Sequence, residues 1–481
     1  MSTASGLRGS AREVADLPSP HGVPILGNAL QLKPARAHLI LEEWARELST
    51  PYRFQICSTP ITVWDDSELL QSILRERPHG YRRYSTIEST IAEMGSSGLF
   101  SAEGEAWEPQ RKLVMQAMTS SHIKAFYPKM AAITERLRLR WQRAAQNHRL
   151  VEMNDDLKRY TVDVTSALAF GEDPNTLERD DNVIQEHLKL IFPMIMSRIN
   201  APFPYWRYVE LPRDRRLSRA LVEVHRYVRN LIARARERNR DCPHQEPENL
   251  LDAMLQIRDA PGSDITDDDV AGNVLTMLLA GEDTTAHSIA WAMLYLGTDE
   301  ALQRRVADVS LRVLGEGGVC PSYEALKGLD LCEAVCTEAS RFRPVVALHA
   351  IESLKEAEHH GIRMPAGSKM FFLTRPAMLD SNKFEHPEQF NPERWMHDRT
   401  PGRGAHETRA YLQFGAGPRV CPGRHLSTVE MRLVISMLSA NFSARLAVDP
   451  NSVQEVSAFT MVPNTMPMRL EMRRRDSQIP V

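Results

Sequence analysis

Phe414-Gly-Ala-Gly417-Pro-Arg419-Val-Cys421-Pro422-Gly423 sets one cysteine among the residue types that hold a metal cofactor through a thiolate. Gly415 and Gly417 permit backbone angles closed to other residues, so the segment can turn tightly and let a flat ligand approach its main chain. Arg419 offers a fixed, always charged fork of donors suited to a carboxylate. Downstream, the apolar residues of the run His425 to Phe442, among them Leu426, Val429, Leu433, Val434 and Met437, recur at near-helical spacing and put the sulfur at a helix N-terminus. Free N–H groups and the positive dipole end favour a thiolate there, and Pro422 suits a first helical position. A dinucleotide-binding loop is the weaker reading because Val420 stands where the third glycine would be.

A long helix is predicted upstream. Thr266-Asp-Asp-Asp269 supplies a cap hydroxyl and first-turn acids, and helical spacing then runs to about Gly297, some ~45 Å at 1.5 Å per residue. Its apolar residues, Val270, Val274, Leu275, Met277, Leu278, Ile289, Trp291 and Met293, spread around the axis, which predicts a central buried helix. Within it, Ala280-Gly281-Glu282-Asp283-Thr284-Thr285 places a glycine and two threonines among good helix formers, at a cost in helical stability. The cost fits a helix distorted for function, or threonines bonding back to the preceding turn. An acid beside a hydroxyl can relay protons through water.

The pattern Phe-x-x-Gly-x-Arg-x-Cys-x-Gly resembles the haem-binding loop of the cytochrome P-450 superfamily at every specified position. The resemblance covers essentially the whole chain. It implies a mainly α fold with small β-sheets, a helix-rich triangular single domain holding haem b (iron protoporphyrin IX) between the long central helix and the cysteine loop. Cys421 would be the axial iron ligand and Arg419 a propionate partner. Asp283 and Thr284 match the acid and alcohol that deliver protons for oxygen activation. Glu338-x-x-Arg341 is a common helical spacing, seen also at Glu43/Arg46, Glu135/Arg138 and Glu237/Arg240. Its place before Asn391-Pro-Glu-Arg394-Trp resembles the family's buried charge network of Glu338, Arg341 and Arg394. Trp107-x-x-x-Arg111 resembles the propionate-binding helix, which must start just before Pro109. His349 lies where many relatives carry a further propionate-binding base.

What the resemblance implies is a haem-thiolate monooxygenase acting on a small hydrophobic molecule, a bacterial-like cytoplasmic member of secondary metabolism. Electrons would come from separate partners, a ferredoxin with its reductase or a flavodoxin-type carrier, docking near Arg111, Lys112 and Arg424, because Arg424 to Val481 is too short for a further redox domain. Two rivals stay open: a peroxygenase or isomerase that needs no external electrons, and a haem sensor built on Cys421-Pro422.

Composition narrows the class. With 42% hydrophobic and 25% charged residues the 481-residue chain reads as globular, and a net charge of -3 gives no nucleic-acid signature. Residues 1–22 are polar, without a signal peptide's apolar core, and read as a flexible lead with no membrane anchor; 23–481 read as a single haem domain. The six cysteines lack metal-finger spacing, and Cys332 and Cys336 read as buried thiols. Tyr52 to Asp66 and Gly361 to Thr374 carry hairpin signals, while Leu379 to Arg419 reads as a long functional loop. Pro128 to Gln146 and Asp181 to Met196 have helical spacing; Ile191 to Met196 and Ala201 to Trp206 are apolar and proline-broken. With Tyr84 to Phe100, Pro344 to His349 and Ala458 to Val462, the segment Ile191 to Trp206 is expected to shape the pocket.

Overall fold

A computed structural model describes residues 12–95, 98–179, 183–201, 203–241, 247–396 and 408–473. Cys242 and the stretch 397–407 of the long loop lie outside these residues. Eight helices frame the site: α1 (Trp107–Ala117), α2 (Ser120–Gln146), α3 (Met153–Phe170), α4 (Val183–Ile199), α5 (Pro212–Asp241), α6 (Asp267–Thr298), α7 (Asp330–Phe342) and α8 (Arg424–Asn441). Beside them stands a five-stranded sheet of β1 (Tyr52–Ile56), β2 (Thr59–Trp64), β3 (Tyr81–Arg83), β4 (Leu348–Ser353) and β5 (Lys369–Leu373), in the order β1-β2-β5-β4-β3. β2 and β5 run parallel and the other pairs antiparallel. The mainly α fold with small sheets is thus present.

The central helix α6 begins as its sequence dictates. Thr266 Oγ1 accepts the Asp269 N–H and Asp269 returns a carboxylate to the Thr266 N–H, a reciprocal cap that satisfies two end groups. Val270, Val274, Ile289, Ala290, Trp291 and Met293 are buried on several sides, as expected of a helix running through the core against α3, α7 and α8. No break interrupts it. Gly281 serves close packing, since a Cβ there would collide with Thr165 Oγ1 of α3.

Several expectations need correcting. α2 starts at Ser120, capped by Thr119, and runs through Pro128, because buried Ile123, Phe126 and Tyr127 anchor the turns around the missing hydrogen bond. Pro193 likewise lies inside α4 and does not break it. Tyr52 to Asp66 forms its hairpin with Pro60 inside β2, opposite Gln55. Gly361 to Thr374 is not a hairpin. Ile362–Met364 pairs with Ala357–His359 while β5 pairs with β2 and β4, so Pro365-Ala-Gly367 links two sheets. Both flanks are apolar because Ile362 and Met364 on one side and Met370 and Phe372 on the other are buried in the same hydrophobic cluster. From Arg12 onward the lead is tied down: Arg12–Glu13 pairs with Ile362–Arg363, Leu17 is buried, and Pro18 O accepts the Arg53 N–H at 2.8 Å.

Candidate active site

The cysteine loop closes on itself. Gly415 N–H donates to Leu412 O, Gly417–Arg419 forms one 3-10 turn, and Cys421 N–H returns to Phe414 O at 2.9 Å. Gly417 has φ +68°, and a Cβ there would lie 2.5 Å from Leu74 O. Gly415 has φ +70° and open space where a Cβ would point, so the loop presents bare backbone there. α8 starts at Arg424 with Gly423 as its cap, which puts Pro422 before the cap rather than at the first helical position. The cysteine side chain accepts N–H groups from Gly423 and Arg424. Burial pushes its thiol up, while those N–H groups and the charges of Arg111 and Arg424 pull the other way. Cys421 nonetheless keeps accessible surface.

Accessible surface also appears on α6. Ala280 is exposed in the middle of this otherwise buried helix, and Thr276, Met277, Gly281 and Thr284 are partly accessible. Thr284 Oγ1 donates to Ala280 O at 2.8 Å, the local back-bond a helical threonine favours. Asp283 is turned to α3, where Lys158 Nζ meets Oδ1 at 3.0 Å. His287, one turn on, is buried with Nδ1 unpartnered; burial holds its imidazole down at about 4, Asp283 opposing and Lys158 adding to the shift. Thr285 Oγ1 reaches Ser427 Oγ at 3.1 Å and ties α6 to α8.

A cluster of arginines lies beside the loop. Glu103 accepts from Arg77 Nη2 at 2.8 Å, from the Arg83 backbone N–H at 3.2 Å and from Arg419, which also donates to Ala102 O. The Arg419 guanidinium sits 5.1 Å over the Trp107 ring. Burial lowers Arg77 to about 10 and Arg83 to about 9, with mutual repulsion adding to the shift; Arg419 is lowered by burial too. His349 bonds the Leu412 backbone and is held at about 4 by burial and then by Arg83 and Arg77. Glu103 Oε2, Arg77 Nε, Arg83 Nε and His349 Nε2 are all buried without partners. Such a concentration of cationic donors fits the carboxylates of a porphyrin, next to the Cys421 sulfur and a bare glycine backbone.

The apolar wall comes from three of the expected segments. Phe459 lies between the strands Glu455–Ala458 and Thr460–Pro463, stacks on Phe192 at 5.0 Å and meets Phe100 edge-on at 5.8 Å. Leu279 of α6 packs with them, and the Arg83 guanidinium stands 3.9 Å above Phe100.

Behind the loop, Arg341 donates to both Glu338 oxygens at 3.0 and 2.9 Å, Arg394 Nε donates to Glu338 Oε1 at 3.0 Å and Trp395 to Oε2 at 2.8 Å. The remaining guanidinium donors reach carbonyls of Met378, Pro387, Gln389 and Glu385. All three charged groups are essentially excluded from solvent, so the long loop is strung on a buried, satisfied ion network.

Each candidate named from sequence except Lys112, which is exposed on α1, has a place in one of these groups. Arg77, Arg83, Glu103, Lys158 and His287 join them without a local sequence signature, their partners lying on other elements.

Comparison with known proteins agrees in kind. A family model described as Cytochrome P-450 matches residues 17–469. Among curated proteins, the chain is 25% identical to cytochrome P-450 97B2, chloroplastic, of Glycine max, over 90% of this chain and 82% of that protein. It is 24% identical to cytochrome P-450 4V2 of Mus musculus, over 90% and 85%. Protein LUTEIN DEFICIENT 5, chloroplastic, of Arabidopsis thaliana is 24% identical over 87% and 71%.

Proposed function

The chain belongs to the cytochrome P-450 family, and from that premise we propose that it inserts one oxygen atom from dioxygen into a small, mainly hydrophobic molecule using electrons from a separate donor. Members of this family are haem-thiolate oxidoreductases. We assign Cys421 as the thiolate ligand and Arg419, Arg111, Trp107 and His349 to the porphyrin's edge. Iron protoporphyrin IX supplies the redox chemistry when bound, and a thiolate ligand favours O–O cleavage.

The chain's own residues do the rest. Ala280 and the Phe100, Phe192 and Phe459 cluster seat an apolar substrate and exclude water. Asp283, released from Lys158, takes a proton from solvent, and the Thr284 hydroxyl passes it toward the face of α6 that Ala280 opens. Exposed Lys112 and Arg424 lie near the cysteine side and suit an acidic electron carrier of the ferredoxin or flavodoxin type. Among the described residues no helix is long and apolar enough to cross a membrane.

The observation that carries this reading is the placement, on one turn of a central helix, of a buried acid, Asp283, and a partly accessible hydroxyl, Thr284, together with a cysteine whose sulfur is fed by two N–H groups. An isomerase or a haem sensor has no use for the acid and alcohol. The test is substrate-dependent consumption of NADPH and oxygen with surrogate redox proteins, alongside Cys421→Ser. Coupled turnover is expected, with loss of the red-shifted absorption of the reduced carbonyl complex in the variant. Turnover with peroxide alone would favour the peroxygenase; survival of that band would refute the ligand assignment.

A further inference from the structure

We propose that Glu103 is a built-in third carboxylate of the porphyrin-edge cluster, which fixes Arg77 and Arg419 from the chain side and matches the cluster's remaining charge to two propionates. The inference rests on the assignment of these arginines to the porphyrin edge.

The guanidiniums of Arg77 and Arg419 donate to one carboxylate, that of Arg83 stands close by over the Phe100 ring, and the side chains of Arg77, Glu103 and Arg419 are each 7% exposed or less. The other charges nearby are already matched. Glu88 pairs with Arg82, and the charge of Arg111, although it also lies at the porphyrin's edge, is set against that of the Cys421 thiolate. Glu103 therefore cancels one of the three clustered positive charges, two of them buried, and leaves two, the charge of an ionised pair of propionates. Without it, three unscreened guanidiniums would repel one another in a medium that amplifies the repulsion.

Geometry gives Glu103 its second task. One of its oxygens, Oε1, collects Arg77, Arg419 and the Arg83 backbone N–H, so it joins the strand Tyr81–Arg83, the residues just before α1 and the cysteine loop at one point. The other oxygen, Oε2, is buried without a partner, as are Arg77 Nε, Arg83 Nε and His349 Nε2. The arginine forks are thus held from behind by Glu103 while unused donors remain. A carboxylate supplied by the chain pre-orients donors for carboxylates supplied by the ligand. Glu103 acts through these arginines and is a positioning residue.

A fixed negative charge at this place also bears on electron uptake. Reduction removes one positive charge from the iron centre, so a nearby carboxylate disfavours it electrostatically. Midpoint potentials of the ferric/ferrous couple are to be measured spectroelectrochemically on substrate-free holoenzyme of wild type, Glu103→Gln and Glu103→Asp. The Gln variant should shift to a more positive potential, and the Asp variant, which keeps the charge, should stay near wild type. Equal potentials in all three, or equal shifts in both variants, would overturn the proposal. Should Glu103→Gln fail to retain cofactor, Arg77→Gln gives the opposite arm: a more negative potential supports the charge balance, and an unchanged one overturns it. Retention of the thiolate-type carbonyl spectrum in each protein separates failure of this proposal from failure of the ligand assignment, which would remove that spectrum from wild type itself.

Discussion

Lys158 Nζ of α3 lies 3.0 Å from Asp283 Oδ1 of α6, so the acid to which we assign proton delivery is held by a base on the neighbouring helix. Asp283 is 10% exposed and Lys158 26% at the side chain, a pair sheltered enough to count yet open to water on one side. Breaking it leaves a mostly buried carboxylate alone, at a cost of about 2 kcal/mol once the partial exposure is discounted. Lys158→Met and Asp283→Asn should each lower the unfolding free energy in urea, and the double variant should lose less than their sum. Asp283→Asn should also cut the rate of product formation by roughly a hundredfold, the scale of a lost general acid.

Thr284 makes its side-chain hydrogen bond to Ala280 O within its own helix, so the hydroxyl sits on the accessible face of α6 without being consumed by a tertiary contact. Thr284→Ala should leave helix stability and oxygen consumption close to wild type while the ratio of product formed to oxygen consumed falls several-fold. Thr284→Ser, which keeps the hydroxyl, should restore most of that ratio. Oxygen electrode traces combined with product and peroxide assays read all three quantities.

The parts of the site visible in sequence are those whose chemistry is local. Cys421, its glycines and Arg419 share a ten-residue loop, Asp283 and Thr284 share one turn of α6, and Glu338 and Arg341 share one face of α7. The spacing of apolar residues likewise gave α6 and α8 nearly to the residue. What stayed hidden is assembled across the chain. Glu103 meets Arg77 and Arg419 over separations of 26 and 316 residues, and Lys158 finds Asp283 because Gly281 lets α3 approach closely. Sheet partners were invisible for the same reason: Gly361 to Thr374 has a hairpin's composition, but register is decided by β2 and β4.

The Glu338 network predicts a structural failure. Glu338 accepts from Arg341, Arg394, Trp395 and the Asn391 N–H, and its charge has no solvent to fall back on. Glu338→Ala would strand two buried guanidiniums, worth about 3–5 kcal/mol. The variant should express as protein that retains little haem, measured as the ratio of Soret to protein absorbance. Glu43→Ala, at an exposed helical position with the same spacing to an arginine, should leave that ratio unchanged.

His287 makes stability depend on pH. Its imidazole is buried on α6 near Asp283 and Lys158, and burial holds its pKa at about 4 against an ordinary 6.5. A base whose folded value is depressed binds protons more tightly when unfolded, so its neutral form supports the fold fully above about 6.5 and stability is lost as pH falls from there toward about 4. Between about pH 7.5 and about pH 5 this one group should cost roughly 2 kcal/mol, since each tenfold change in proton binding is worth about 1.4 kcal/mol. His38 and His349 are depressed to about 4 as well and add their own slopes, so the wild-type curve alone does not isolate His287. The difference between wild type and His287→Gln does. Glutamine keeps a polar group of similar size without a titrating proton, and its unfolding free energy in urea should fall less steeply over the same pH range. Parallel curves for the two proteins would mean that His287 takes up its proton inside the fold, with Asp283 as its counter-ion.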